Sequence, residues 1–269
     1  MYISTIMRKL VMSLSPTEQK IYSKLYQKRM IKTSDVVKIL GNLHKSADYL
    51  TNLREKGYIQ KIKKGVYAIV PPNMIGEKDY LPDKFLIASH LKDKYYISHH
   101  SALELHGIAE SVFNMVYITL PDYASSFEHK GIKYNFVSTK YFFGMEQMIY
   151  KSVTITLSDL EKTVLDCIRN IHFAGGIEEM VKSISGVPSL NYNKILEYLK
   201  QFNEQILYHK TGFILESMID LSLPKKFFNE LQKHIGEKVY YIDKNKKSIY
   251  DKKWKVMVPS NFRELKKIV

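Results

Sequence analysis

Residues 15–70 decide how the N-terminal part of this chain folds, and they read SPTEQKIYSKLYQKRMIKTSDVVKILGNLHKSADYLTNLREKGYIQKIKKGVYAIV. Apolar residues recur at helical spacing in three successive segments, and two short β-rich runs then flank a turn at residues 64–65. The first helix is predicted to open at Ser15, with Pro16 at its first position and Glu18 closing a capping box. Three helices followed by a basic hairpin are typical of a winged helix-turn-helix, so the sequence predicts that fold.

The second and third helices of this stretch are the pair expected to meet DNA. The second is predicted to begin at the Thr33-Ser34-Asp35 cap and to end at Gly41. The third is predicted over about residues 45–56, with Ala47, Leu50 and Leu53 facing the core. The residues predicted to contact DNA come from both helices and from the hairpin: Thr33, Ser34, Lys45, Ser46, Tyr49, Asn52, Lys56, Lys61, Lys63 and Lys64.

Positive charge is concentrated in the same part of the chain. Residues 1–70 hold 14 Lys and Arg against 4 Asp and Glu, a net charge of +10, whereas the other 199 residues hold 27 against 23, a net charge of +4. A basic surface that coincides with a helix of groove size indicates nucleic-acid binding. Two alternatives stay open: a helical domain whose lysines are only solvated, and a winged helix that serves protein contacts. Asp48 adds one negative charge to the face expected to meet DNA.

Length and composition bound the rest of the chain. At 269 residues the chain is long enough for two domains. Its single cysteine, Cys167, excludes an intramolecular disulfide and a cysteine-based metal site, which suits a cytoplasmic location. No apolar run approaches the ~20 residues that cross a bilayer, so no membrane partner is expected. The expected fold class is α+β: a winged helix-turn-helix domain over residues 1–72, a linker over 73–82 after two prolines, and a larger mixed α/β domain over 83–269.

A group of histidines is the first candidate for a metal site. His99, His100, Glu104 and His106 lie close together, and His100 and Glu104 share a helix face. Zinc sites normally take three or four ligands at fixed spacings, however, and no second His or Asp cluster completes this group. The favoured interpretation is a helix that packs its apolar residues into a core, with His106 bonded to a backbone group.

Three carboxylates, Asp159, Glu161 and Asp166, are the candidate for acid/base or nuclease chemistry. Glu161 is expected to close a capping box with Ser158, and Asp166 lies among apolar neighbours. Catalytic carboxylates need a cleft and shifted pKa values, which a sequence does not show. Phosphate-binding loops, a nucleophile elbow and a zincin motif are absent. We therefore predict no catalytic residue, no metal and no cofactor; a metal-dependent nuclease or RNA-modifying enzyme built on one of these groups is the less favoured alternative.

Several segments taken together resemble the AbiEi-type antitoxin regulators. The winged-helix stretch contributes LREKGYI at 53–59 and KGVYA at 64–68. Further along, YYISHHSALELHGI at 95–108, LEKTVLD at 160–166 and AGGIEE at 174–179 follow in the order found in that family. Many regulators share the winged-helix part, whereas the three later motifs are specific.

The resemblance implies a transcriptional regulator from a type IV, AbiE-like toxin–antitoxin system or another viral-defence locus. Members of that family bind inverted repeats in their own promoters through the winged helix. Their second domain antagonises a nucleotidyltransferase toxin without forming a stable complex with it. The implied partners are double-stranded DNA and such a toxin. The family also includes orphan regulators, so a repressor without a toxin partner is the first alternative.

Overall fold

The computed structural model describes residues 13–77, 80–218, 221–244 and 247–265, and the first 12 residues of the predicted DNA-binding domain lie outside these ranges. The described chain mixes helices with three β-sheets, which confirms the expected α+β class. It divides into two compact units: the first comprises the chain up to Asp93 together with Ile149–Ile155, and the second comprises Lys94–Met148 and the chain from Thr156 onward. In the described ranges, no helix combines the length and hydropathy needed to cross a bilayer.

The first unit contains a run of helices around a small antiparallel sheet. Strand β1 is absent from the sequence prediction because three residues are too few to show a period-2 pattern. It pairs with β3, which gives the sheet order β1-β3-β2. The elements are α1 (Pro16–Tyr26), β1 (Met30–Lys32), α2 (Thr33–Leu40), α3 (Leu43–Glu55), β2 (Ile59–Lys63), β3 (Val66–Ile69), a 3₁₀ helix (Pro72–Met74) and α4 (Lys84–Leu91).

Local capping fixes where two of these helices begin. The capping box predicted for α1 is confirmed: Ser15 Oγ accepts from the Glu18 N–H at 3.3 Å, and Glu18 Oε2 accepts from the Ser15 N–H at 2.7 Å. Helix α3 begins two residues earlier than predicted, because Asn42 Oδ1 accepts from the Lys45 N–H at 3.0 Å and acts as the N-cap.

The two faces of the first sheet pack against different helices. Ile31, Ile59 and Ile69 belong to one buried cluster with apolar residues of α1, α2 and α3. Met30 and Ala68 are paired across β1 and β3, point to the opposite face and are also buried. Helix α4 packs against both of these strands and therefore covers that face. The compact first unit thus extends through α4, beyond the linker predicted at residues 73–82.

The second unit holds most of the remaining elements, and β8 and β9 each run from one unit into the other. A six-stranded sheet has the order β6-β7-β5-β4-β9-β8, and a three-stranded sheet has the order β10-β12-β11. The elements are β4 (Tyr96–Ile97), α5 (His99–Leu105), β5 (Met115–Leu120), β6 (Phe127–His129), β7 (Ile132–Ser138), β8 (Met145–Tyr150), β9 (Val153–Ser158), α6 (Leu160–Arg169), a 3₁₀ helix (Ile171–Ala174), α7 (Ile177–Ser185), α8 (Tyr192–Phe202), α9 (Gln205–Ser217), α10 (Lys225–Gln232), β10 (Tyr240–Tyr241), β11 (Ser248–Asp251), β12 (Val256–Pro259) and α11 (Phe262–Leu265).

Helix α6 is the centre of the second unit. Every residue of it except the first and the last is buried, and it packs against α5, α7, α8 and α9. The apolar residues of α6 belong to one hydrophobic cluster, which reaches from Leu103 in α5 to Phe262 in α11. Polar and charged side chains of α6 are therefore enclosed by protein, and each needs a partner inside the fold.

Candidate nucleic-acid interface

Helix α3 turns one face to the core and the opposite face to solvent. Its buried residues are Ser46, Tyr49, Leu50 and Leu53. Since successive residues are roughly 100° apart around a helix, the middle of the opposite face falls near residues 44, 48, 51 and 55. The exposed residues of the helix are Leu43, His44, Lys45, Ala47, Asp48, Thr51, Asn52, Arg54 and Glu55.

Two of the DNA contacts predicted on α3 are wrong, because the buried face is rotated from the predicted stripe. Ser46 is fully buried, and its Oγ donates to the Asn42 carbonyl at 2.6 Å. Tyr49 is only 7% exposed, and its hydroxyl donates to the Glu18 carbonyl at 3.0 Å. Ala47, which the sequence placed in the core, is exposed instead. Neither Ser46 nor Tyr49 presents a side chain to a DNA groove.

Lys56, which the sequence also predicted to contact DNA, is partly exposed and has a partner within the unit. Lys56 Nζ lies 2.7 Å from Glu18 Oε2, and this contact lowers the pKa of Glu18. Lys56 Nζ also donates a hydrogen bond to the Ser13 carbonyl at 3.3 Å. The ion pair ties the C-terminal end of α3 to the first turn of α1, so Lys56 stabilises the unit.

The other predicted residues lie on the surface of the first unit. Lys45 and Asn52 are exposed on one flank of α3, while Ser34 is exposed on α2. Thr33 meets the hairpin turn, since its N–H donates to the Gly65 carbonyl at 3.0 Å. Gly65 has a φ of +77°, a backbone conformation that residues with a Cβ rarely adopt. The hairpin turn is thereby held at the beginning of α2.

The hairpin lysines have charged neighbours that sequence reasoning missed. Lys61 and Lys64 are exposed, whereas Lys63 is half-buried. Lys32 on β1 and Lys63 on β2 both pair with Val66 of the central strand β3, so the two lysines flank the same residue. Burial and the ammonium groups of Lys92 and Lys32 lower the pKa of Lys63. Lys92 follows α4, a helix that the sequence had assigned to the other domain, so spacing gave no signal of this proximity. Asp93 pairs with Lys32 and partly offsets the positive charge.

The histidine group of the second unit forms hydrogen bonds within the protein. His106 Nε2 lies 2.9 Å from the Ser158 carbonyl, which confirms the predicted bond to a backbone group. His100 Nε2 lies 2.9 Å from Glu179 Oε1, and burial lowers the pKa of His99 to about 4. Among the residues that the structure describes, no three His, Cys, Asp or Glu side chains are arranged to hold a metal ion.

Two of the candidate carboxylates are also engaged. Asp159, rather than Ser158, is the N-cap of α6, and its Oδ1 accepts from the Lys162 N–H at 2.9 Å. Glu161 therefore does not close the predicted capping box. Its Oε1 accepts from the Asn191 N–H at 2.9 Å instead. Both carboxylates hold the beginnings of helices in place.

Asp166 forms a buried ion pair with Lys162, one turn earlier in α6. Lys162 Nζ lies 2.6 Å from both carboxylate oxygens of Asp166 and 3.2 Å from the Tyr96 hydroxyl. The rings of Tyr96, Phe143 and Phe202 surround this ammonium, with centroids 4.9–5.3 Å away. Burial lowers the pKa of Lys162. The carboxylate expected among apolar neighbours is therefore neutralised inside the core.

Comparison with known proteins supplies a fold and no function. Neither a protein-family model nor a curated protein matches the chain. Among solved structures, the chain is similar to the crystal structure of the Rv2827c protein from Mycobacterium tuberculosis, with a TM-score of 0.64 and 12% sequence identity over 96% of each chain. At this identity the similarity shows the fold alone.

Proposed function

We propose that the first unit forms a winged helix-turn-helix and that the chain is a DNA-binding transcriptional regulator. In this proposal α2 and α3 form the helix-turn-helix, and the β2-β3 hairpin is the wing. The observation that carries it is the coincidence of charge and shape: residues 1–70 hold +10 of the net charge of +14, and they include an exposed helix face beside a lysine-bearing hairpin. Phosphate contacts of such a surface supply sequence-independent affinity.

The exposed residues suggest how the two parts divide the contacts. Lys45 and Asn52 suit base readout, because Lys pairs with guanine and Asn with adenine in the major groove. Lys61 and Lys64 on the hairpin suit phosphate contacts. Asp48 lies on the same helix face, where its carboxylate suits the amino group of a cytosine.

The proposal is tested on the DNA upstream of the gene, where footprinting locates the site. The double variant Lys61→Gln/Lys64→Gln is expected to bind this DNA about tenfold more weakly, with the slope of log affinity against log salt reduced by about 2. The measurement is fluorescence anisotropy at several salt concentrations. The matched control, Lys225→Gln/Lys252→Gln, removes two exposed lysines of the second unit and should leave the slope unchanged. Equal slopes for wild type and the hairpin variant would refute the assignment of the wing.

Asn52 tests the recognition helix separately. Asn52→Ala is expected to lose about 1–3 kcal/mol of binding free energy on the footprinted site and little on random DNA, because it removes a base contact. Competition binding with both DNAs measures the difference. The control Thr17→Ala changes an exposed residue on α1 and should leave both affinities unchanged. If Asn52→Ala lost the same binding free energy on both DNAs, Asn52 would not read a base and the assignment of this flank of α3 would be wrong.

The resemblance to AbiEi-type regulators supports a narrower proposal. In it, the chain is the cytoplasmic antitoxin of a type IV system, represses its own promoter at inverted repeats and antagonises a nucleotidyltransferase toxin without a stable complex. Co-expression of the full chain with such a toxin, encoded beside it, should restore growth. A chain that binds its promoter but does not restore growth is the orphan repressor. Divalent-metal-dependent cleavage of DNA or RNA would contradict the assignment as a non-enzyme.

A further inference from the structure

A cavity of about 770 Å³ opens in the second unit, and none of the residues proposed to bind DNA lines it. This volume lies in the range of pockets that hold small molecules, roughly 300–1,000 Å³. Its walls come from three separate segments: the end of α6 with the following 3₁₀ helix, one face of α9, and β10 with the residues on either side of it, from Val239 to Lys244. The lining residues used below are Arg169, Phe173, Lys210, Tyr240, Tyr241 and Lys244.

The wall formed by α9 and β10 is held firmly. His209 on α9 is buried, with its Nδ1 2.8 Å from the Trp254 carbonyl. Its Nε2 accepts from the Gly236 N–H at 3.3 Å, and its ring packs edge-on against Tyr240. Because the residue next to His209 is Lys210, these contacts also fix where the Lys210 backbone lies at the cavity.

Positive charge predominates around the cavity. Arg169, Lys210 and Lys244 line it together with one carboxylate, Asp243. Arg169 donates from Nε and Nη2 to the two carboxylate oxygens of Glu204, each at 2.9 Å, and these bonds fix the guanidinium. The hydrogens on its Nη1 are not bonded to that carboxylate. The cavity therefore combines a fixed guanidinium with two lysine ammonium groups.

Lys210 is the cation that most needs an anion. Its side chain is half-buried, and within the described ranges its ammonium group makes no hydrogen bond and no ion pair within 4 Å. Burial lowers the pKa of Lys210, although the charge of Asp243 acts in the opposite direction. A poorly hydrated ammonium is stabilised when a phosphate or carboxylate comes within hydrogen-bonding distance.

Aromatic rings supply the rest of the surface. Phe173, Tyr240 and Tyr241 line the cavity, and Tyr241 is 44% exposed although it is a large side chain. Phe173 is fixed by a tilted contact with Tyr117, with ring centroids 5.1 Å apart. Flat heterocyclic bases stack on such rings. An anion alone would leave these rings unused.

We propose that this cavity binds a nucleoside phosphate, with its phosphate at Lys210, Lys244 and Arg169 and its base against the aromatic residues. The inference goes beyond DNA binding, since it concerns a site in the other unit. It also differs in chemistry, since a mononucleotide in this pocket would be recognised by ring stacking as well as by charge.

The test is calorimetric titration of the full chain with ATP, GTP, CTP, UTP and inorganic phosphate as separate probes. At least one nucleotide should bind with a dissociation constant below about 1 mM, and inorganic phosphate should bind at least about tenfold more weakly. Lys210→Gln should weaken nucleotide binding at least about tenfold. Lys244→Gln, at an exposed position that does not threaten folding, should weaken it in the same direction. The control Lys225→Gln, on α10, should bind as the wild type does.

Three outcomes would overturn the proposal. If no nucleotide binds at millimolar concentration, the cavity is not a nucleotide-binding site. Unchanged affinity in both Lys210→Gln and Lys244→Gln would place the nucleotide elsewhere. Inorganic phosphate that binds as tightly as the nucleotides would reduce the cavity to an anion site. The hairpin variant Lys61→Gln/Lys64→Gln should bind nucleotides as the wild type does. A failure of the DNA-binding proposal can therefore be distinguished from a failure of this one.

Discussion

Replacing Asp166 by alanine is expected to lower the free energy of unfolding by about 3–5 kcal/mol, the range found when one partner of a buried ion pair is removed. Lys162 is fully buried, and both oxygens of Asp166 lie 2.6 Å from its ammonium. Without Asp166, the Tyr96 hydroxyl is the one hydrogen-bond partner that the described part of the chain leaves to this ammonium. The surrounding rings attract the ammonium in the wild type as well, so they do not compensate for the lost carboxylate, and they accept no charge-assisted hydrogen bond.

Urea unfolding followed by circular dichroism measures this effect. The matched control is Asp122→Ala, at an exposed position of the same unit, which should change the free energy of unfolding by less than about 0.5 kcal/mol. The double variant Lys162→Met/Asp166→Leu removes both charges and is expected to recover most of the lost stability. A loss below about 1 kcal/mol in Asp166→Ala would show that the ammonium escapes to water or loses its proton at little cost.

Replacing Gly212 by alanine is expected to destabilise the second unit by about 3 kcal/mol. A Cβ built at Gly212 would lie 2.1 Å from Cζ3 of Trp254 and 2.3 Å from its Cε3, far inside van der Waals contact. Alanine in the middle of a helix would by itself favour α9 by roughly 0.5–1 kcal/mol over glycine, so the sign depends on this clash. We expect the clash to win, because Trp254 is itself fully buried and cannot move aside.

Thermal unfolding followed by tryptophan fluorescence reports on this site directly, since Trp254 is the single tryptophan in the sequence. Gly186→Ala is the matched control: Gly186 has an ordinary negative φ, and its added Cβ would come no closer than 3.4 Å to another atom. A Gly212→Ala protein as stable as the wild type would mean that α9 shifts away from Trp254 without cost.

Signals that act within a few residues made the helices of the first unit predictable. The Ser15–Glu18 capping box is such a signal and was predicted correctly. The Asn42 side chain is a signal of the same kind, but the prediction did not use it and began α3 two residues too late. The face of α3 was harder to predict. Tyr49 has a polar tip on an apolar ring, so a sequence does not reveal that its ring is buried and its hydroxyl bonds to α1.

Contacts between distant segments account for what the sequence could not predict. Lysine is almost never fully buried, so nothing in the sequence indicates that Lys162 lies in the core with Asp166 and three aromatic rings around it. The cavity is lined by residues near 170, 210 and 240, which no motif or spacing connects. Strand β1 and the position of α4 likewise depend on partners elsewhere in the chain.

The first unit takes Ile149–Ile155 from the middle of the chain, and Asp83 binds this segment through Tyr150 at 3.0 Å and Lys151 at 2.6 Å. During synthesis this unit is therefore incomplete when Asp93 has been added, and 62 further residues, through Ile155, must follow. At about 5–20 residues per second, the delay is about 3–12 s. The chain can complete this unit only after residues 94–148 of the second unit have been translated.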